Sequence, residues 1–137
     1  MTISDYFRDY AGYHQTRGNR ITHWVGIPCI VTSLLGLLSH LGTPTVNGGL
    51  ALWLLGTLWY LKLDWKIGAP FSLVTLGAYL VGTVIPLPWL LALFVGGWIV
   101  QLLGHSYFEK NRPALLTNFR HTLVGPLWLF SKLIRYQ

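Results

Sequence analysis

Two long neutral stretches dominate the chain. No Asp, Glu, Lys or Arg occurs from Ile21 to Leu61, 41 residues, or from Ile67 to Phe108, 42 residues. A bilayer core of roughly 30 Å takes about 20 helical residues, so each stretch predicts two crossings joined by a tight turn. Turn signals interrupt both: Gly42-Thr43-Pro44-Thr45 and Asn47-Gly48-Gly49 in the first, Pro86-Leu87-Pro88 in the second. The predicted crossings are Trp24 to Leu41, Val46 to Leu61, Ala69 to Ile85 and Trp89 to Gly104, all somewhat short. The expected fold is all-α: an integral membrane protein with four transmembrane helices arranged as two hairpins. Ala78 with Gly82, and Ala92 with Gly96, repeat small residues at four-residue spacing, a pattern that close helix packing explains.

The flanks are periodic in a different way. Ile3, Tyr6, Phe7, Tyr10 and Tyr13 recur at helical spacing, which predicts a short amphipathic helix over residues 5 to 13 with Ser4 as its N-cap. Leu115, Leu116, Phe119, Leu123, Leu127 and Phe130 do the same near the other end, with Gly125-Pro126 as an expected kink. Both flanks suit the plane of the interface; a fifth crossing from Leu123 to Ile134 is too short to favour. The chain is expected to form a single membrane domain: an amphipathic segment over 1–23, the crossings over 24–104, and an interfacial segment over 105–137.

Composition supports lipid as the solvent. Of 137 residues 53% are apolar and 10% charged, against about a quarter charged in soluble domains. The net charge of +6 would suit nucleic acid if it formed a dense stripe. It falls instead in three clusters: Arg8, Arg17 and Arg20; Lys62 and Lys66; and Lys110, Arg112, Arg120, Lys132 and Arg135. All ten lie on one side of a four-crossing arrangement, so the positive-inside bias places both termini in the cytoplasm, in the inner membrane if the source is bacterial. No nucleic-acid partner is expected. Most of the tryptophans sit near predicted helix ends, where amphipathic rings prefer the interface. No cleaved signal peptide is expected, because the first apolar run begins only at Trp24. The single cysteine, Cys29, lies within an apolar run and reads as packing.

The residues that could carry chemistry are the five histidines, His14, His23, His40, His105 and His121. All but His40 fall on the cytoplasmic side of the expected topology. His14 and His23 are nine apart and would point oppositely on one straight helix. A turn at Gly18-Asn19, with Thr22 capping a new helix, would let both imidazoles face one point. His105 and Glu109 share a helix face at i and i+4. Imidazoles with a carboxylate suit an open non-haem iron site. Spacing alone leaves a second reading open, in which interfacial histidines cap helix ends and Glu109 pairs with Lys110, Arg112 or another basic residue. His40, beside Gly42, reads as a loop residue.

Two blocks make the sequence familiar. Tyr13-His14, Asn19, His23 and Gly26-Ile27-Pro28 form the first; Gln101-x-x-Gly104-His105-x-x-Phe108-Glu109-Lys110-x-Arg112-Pro113-Ala114 forms the second. Together they resemble the signatures of the fungal and bacterial 2-hydroxy fatty acid dioxygenases, small membrane proteins that act in phytosphingosine degradation in fungi. The blocks bracket the four predicted crossings. The resemblance implies an iron(II)-dependent α-oxidation that shortens a 2-hydroxy long-chain fatty acid by one carbon with dioxygen. It implies His14, His23 and His105 as metal ligands, with Glu109 as a fourth ligand or as the group that orients a histidine. His121 falls outside both blocks. Arg17, Arg20, Lys110 and Arg112 are candidates for the substrate carboxylate, although topology accounts for some of them. Tyr13 and Asn19 are candidates for supporting the site, and Asn19 is also explained as a turn residue. Two other classes stay open: a structural or lipid-handling membrane protein without catalysis, and a small transporter or channel subunit. Against the latter stands the absence of charged residues within the crossings. Oligomeric state is not legible.

Overall fold

The computed structural model describes residues 2–12, 14, 16–109 and 121–136, apart from the side chains of 108, 109, 121 and 122. All regular elements among the described residues are helical. They are α1 (Ile3–Gly12), α2 (Arg17–Leu38), α3 (Gly48–Leu63), α4 (Trp65–Val84), α5 (Leu87–Leu103), a π-helical turn (Gly104–Glu109) and α6 (His121–Leu133). The chain divides into two compact units, one of Met1–Ile27 with Gly97–Gln137 and one of Pro28–Gly96.

Three helices are long and apolar enough to cross a membrane: Arg17–Leu38, Trp65–Val84 and Leu87–Tyr107. No more than a third of each apolar window is buried within the protein. Many of the other residues, including Val25, Leu73, Val84 and Trp89, are exposed. Apolar faces of that extent suit lipid, and a helix satisfies its own backbone hydrogen bonds as lipid requires. α3, at 16 residues, is apolar but shorter.

In the unit of Pro28–Gly96, helices approach closely enough to exclude side chains. A Cβ built on Gly36 would stand 2.7 Å from the carbonyl oxygen of Gly82 and 2.7 Å from Leu90 Cδ2, and one on Gly82 would stand 2.6 Å from the carbonyl oxygen of Thr32. α2 and α4 therefore cross backbone against backbone, the geometry small residues permit in a bilayer. Gly82 thus has the packing role its spacing suggested, with Gly36 as its partner.

The turn between α2 and α3 lies where its sequence predicts. Gly42 adopts a φ of +124°, a region that favours glycine. Thr43 N–H donates to the Val46 carbonyl at 2.8 Å, and Val46 N–H donates to Thr43 Oγ1 at 2.9 Å. Asn47 then caps α3, its Oδ1 accepting from Leu50 N–H at 3.0 Å, while its Nδ2 donates to Tyr79 Oη at 2.8 Å. Trp53 Nε1 donates to the Ser72 carbonyl at 3.0 Å, tying α3 to α4.

Two expectations are corrected in this region. The connection between the predicted crossings that end at Leu61 and start at Ala69, where Lys62 and Lys66 lie, contracts to Asp64 alone, which ends α3 and also caps α4 by accepting from Lys66 N–H at 3.0 Å. Helix α4 accordingly starts at Trp65 rather than Ala69. A carboxylate that serves as N-cap leaves a connection of one residue sufficient.

In the other unit, α1 starts at Ile3, two residues earlier than its apolar spacing suggested. Its cap is Thr2, not Ser4: Thr2 Oγ1 accepts from Asp5 N–H at 3.3 Å, and Asp5 Oδ2 accepts from Thr2 N–H at 2.9 Å. Only Thr2 has an acidic residue three positions on that can reach back. These bonds, from the Thr2 backbone first and its hydroxyl second, hold the Asp5 carboxyl below the usual range. Tyr6 and Tyr10 form the buried face of α1, and α6 packs against it. A Cβ on Gly125 would stand 2.8 Å from Tyr10 Oη, and Val124, Leu127, Trp128 and Leu129 are buried. Helix α6 has 13 residues and is too short to cross, as expected. Leu115, Leu116 and Phe119 lie outside the described residues.

Candidate metal centre

The first histidine is placed by the junction of α1 and α2. Gly18-Asn19 does not form the expected break; both lie in the first turn of α2, which Thr16 opens by accepting from Asn19 N–H through Oγ1 at 3.3 Å. Thr22 likewise caps no new helix, because its hydroxyl donates to the Asn19 carbonyl at 2.7 Å. The chain turns between Gly12, the end of α1, and Arg17, the start of α2. The expected outcome nevertheless holds: His14 and His23 converge.

His105 arrives from the far end of the chain. It sits in the π turn that follows α5, a local widening of the helix that recurs at functional sites. Gly104 lets this turn lie against α2, since a Cβ there would collide with Thr22 Oγ1. All three histidines are at least 97% buried. Their rings pack pairwise edge to face, with centroids 4.2, 4.8 and 4.9 Å apart. One ligand nitrogen from each lies within 4.8 Å of the others.

Hydrogen bonding fixes which nitrogens are available. His14 Nδ1 lies 2.7 Å from the Tyr10 carbonyl, and His23 Nδ1 lies 2.8 Å from the Asn19 carbonyl. A carbonyl only accepts, so each Nδ1 carries the proton and the lone pair of each neutral ring lies on Nε2. Those two Nε2 atoms face each other at 2.8 Å. Two lone pairs at that distance repel unless a positive centre lies between or beside them. Nitrogens about 2.1 Å from one metal ion stand about 3 Å apart at right-angled positions. The donor set therefore fits a metal ion held by Nε2, with both rings oriented through Nδ1–H···O=C bonds.

Around the cluster lies an aromatic wall. Tyr10 stacks on His14 with centroids 4.0 Å apart and planes 12° apart. Trp128 of α6 tilts against Tyr10 at 5.1 Å and His14 at 5.9 Å, and Lys132 Nζ lies 5.5 Å over its ring. Burial pushes the Tyr10 phenol well above its ordinary value, which keeps it neutral.

The other expected residues separate clearly. Asn19 is fully buried and serves His23 through its backbone carbonyl. Arg20 is exposed, and its Nε donates to the His14 carbonyl at 2.7 Å, so part of its guanidinium braces the junction. Arg17 is exposed at the start of α2. Tyr13, Lys110 and Arg112 lie outside the described residues, as do the side chains of Glu109 and His121. His40 is exposed at the other end of α2 and takes no part in the cluster, and Cys29 is a free, half-buried thiol. Three residues near the site had no assigned role: Tyr10, Trp128 and Gln101. The i–4 spacing of Tyr10 from His14, and of Gln101 from His105, was the available signal; nothing local marked Trp128.

Three comparisons with known proteins bear on this geometry. A family model described as "2-hydroxy-palmitic acid dioxygenase Mpo1-like" matches residues 1–136. The chain is similar to the 2-hydroxy-palmitic acid dioxygenase MPO1 of Saccharomyces cerevisiae, 32% identical over 120 residues that cover 84% of this chain and 69% of the relative. No solved structure matches.

Proposed function

The chain belongs to the Mpo1-like family, and on that footing we propose that it is an iron(II)-dependent dioxygenase that converts 2-hydroxy long-chain fatty acids to fatty acids one carbon shorter. The observation that carries this reading is the buried three-histidine cluster, in which two Nε2 atoms face each other at 2.8 Å. The reaction balances with one dioxygen and no outside reductant: the acid's carbons 1 and 2 together give up four electrons, carbon dioxide and water leave, and carbon 2 becomes the new carboxyl carbon.

In this reading His14, His23 and His105 hold the ion, and Glu109 either joins them or orients one of them. Bound there, iron(II) would supply the electron density that lets dioxygen react with a closed-shell acid. The backbone carbonyls of Tyr10 and Asn19 keep the Nδ1 protons in place, so the ligand nitrogens stay unprotonated. Tyr10 and Trp128 exclude water from one side of His14. Arg17, Arg20, Lys110 and Arg112 are the candidates for the carboxylate, Arg offering the two-pronged fit; Tyr13 supports the histidine beside it. A long-chain acid is already dissolved in the bilayer, and the apolar helices give its chain a lateral way in.

The same reading takes the chain as a single multi-pass membrane domain with α3 as a fourth crossing and both termini cytoplasmic. Its 16 residues span about 24 Å, bracketed by polar caps at Asn47 and Asp64. Thiol-directed labelling at each end should proceed from the same membrane face; opposite faces would mean an odd number of crossings.

The test of function is anaerobic purification in detergent, metal analysis, then addition of 2-hydroxyhexadecanoate and dioxygen. Near one iron per chain and a fifteen-carbon acid are expected. Metal-free protein that consumes no oxygen after iron is supplied would favour a non-catalytic, lipid-handling role.

A further inference from the structure

We propose that Gln101 reads the 2-hydroxyl of the bound acid, its Oε1 accepting the hydrogen bond that the hydroxyl donates. This rests on the substrate class proposed above and adds the residue that selects it. Gln101 is 93% buried in α5, and its Oε1 is sealed from solvent without a hydrogen-bond partner. Buried carboxamide oxygens are nearly always satisfied, so one that is not marks a place where a donor is expected from outside the protein.

Its position relative to the histidines identifies the donor. Gln101 precedes His105 by four residues, one helical turn. Its Cγ and Cδ lie against Gly26, where a built Cβ would stand 3.1 Å from both, and Gly26 follows His23 by three residues. On both helices the carboxamide therefore lies about one turn from the histidines, on the side toward the neutral, apolar run. An acid whose carboxylate is held near the histidines and whose chain enters that run places its C2 and C3 at this level. The carboxylate brings only acceptors and the alkyl chain brings neither donor nor acceptor. The 2-hydroxyl is the one donor such a substrate has. Because Oε1 is closed to bulk solvent, a hydrogen bond made to it on binding is not offset by the loss of exposure to solvent. A site built this way discriminates against the analogue that lacks the hydroxyl far better than an apolar pocket could.

The experiment is equilibrium binding to metal-loaded protein in detergent without dioxygen, so that nothing turns over. The probes are 2-hydroxyhexadecanoate, 2-methoxyhexadecanoate, which keeps the oxygen and loses the donor, and hexadecanoate. The wild type should bind the hydroxy acid at least about tenfold more tightly than either analogue. In Gln101→Met, of similar length without the acceptor, that preference should fall about tenfold with metal content unchanged; in Gln101→Glu, which keeps an acceptor oxygen, it should persist. Circular dichroism establishes that each variant is folded. A folded Gln101→Met variant that keeps the full preference overturns the proposal, even if it loses metal or turnover. So does a wild type that turns over the hydroxy acid yet binds the methoxy acid equally well, a result that needs no variant to fold. A wild type that turns over no hydroxy acid at all is a different failure: it removes the proposed activity, and the role of Gln101 with it.

Discussion

Residues 28–96 bring helices together backbone against backbone at Gly36 and Gly82, whereas the unit that joins the two ends of the chain packs buried imidazoles and aromatic rings alongside its glycine contacts at Gly104 and Gly125. In the first, buried polar groups are answered within the protein: Ser33 donates to the Cys29 carbonyl at 2.6 Å, Ser72 to the Gly68 carbonyl at 2.6 Å, and Asn47 to Tyr79. In the second, the Nε2 atoms of His14 and His23 face each other at 2.8 Å, and the Gln101 carboxamide oxygen is buried with no partner. The difference separates scaffold from site. A scaffold closes its own hydrogen-bonding account, while a site keeps groups whose partners come from outside.

The largest expected effect breaks one side of this comparison and spares the other. Alanine at His14, His23 or His105 should abolish stoichiometric metal binding and lower turnover by more than about a hundredfold, since loss of a supporting group alone costs 10- to 100-fold. Helical content should be unchanged, and His40→Ala should match the wild type in iron per chain and oxygen consumption. If all three variants keep full metal and normal turnover, these histidines are structural. Glu109→Gln sharpens the same test: a ligand loses metal, whereas an orienting group keeps metal with weakened activity.

Gly104→Ala should come next, with metal affinity falling roughly 10- to 100-fold. The added methyl meets Thr22 and pushes the π turn, and His105 with it, away from α2. Because that methyl also meets Asn19 Oδ1, double replacement with Thr22→Ala should restore only part of the affinity; unchanged metal affinity in Gly104→Ala itself would mean that the close approach is not what holds His105. The smallest effect should fall on the scaffold. Gly36→Ala places a methyl against Gly82 and Leu90 and should cost about 1–3 kcal/mol, read as a lower melting temperature in detergent. The metal content of the protein that remains folded should not change.

The outcome at α1 and α2 shows how legible the site was. That His14 and His23 would meet followed from a break between two helical segments, and a break does occur, but Thr16 rather than Thr22 opens the second helix. Thr16, Asn19 and Thr22 compete to cap in this segment, and only the path of the chain selects among them. The loop around Asp64 was misjudged for a related reason. Lys62 and Lys66 suggested a loop between the two hairpins, yet the Asp64 carboxylate at a cap allows the next helix to begin at once.

What the sequence determined by itself was solvent and element type. Uncharged runs of 41 and 42 residues need apolar surroundings, and in those surroundings a helix is the form that satisfies the backbone. The turn at Gly42–Asn47 was also legible, because it depends on residue type over a short span, whereas His14, His23 and His105 were singled out as ligands by the resemblance of the two blocks that hold them. Tertiary structure alone decided that His105 joins two histidines more than 80 residues away in sequence, that Gly36 rather than a neighbour in its own hairpin pattern faces Gly82, and that the Gln101 oxygen is buried unsatisfied. Local propensities act over about one helical turn, whereas these features depend on which helix faces which, and that is set by the packing of the whole chain.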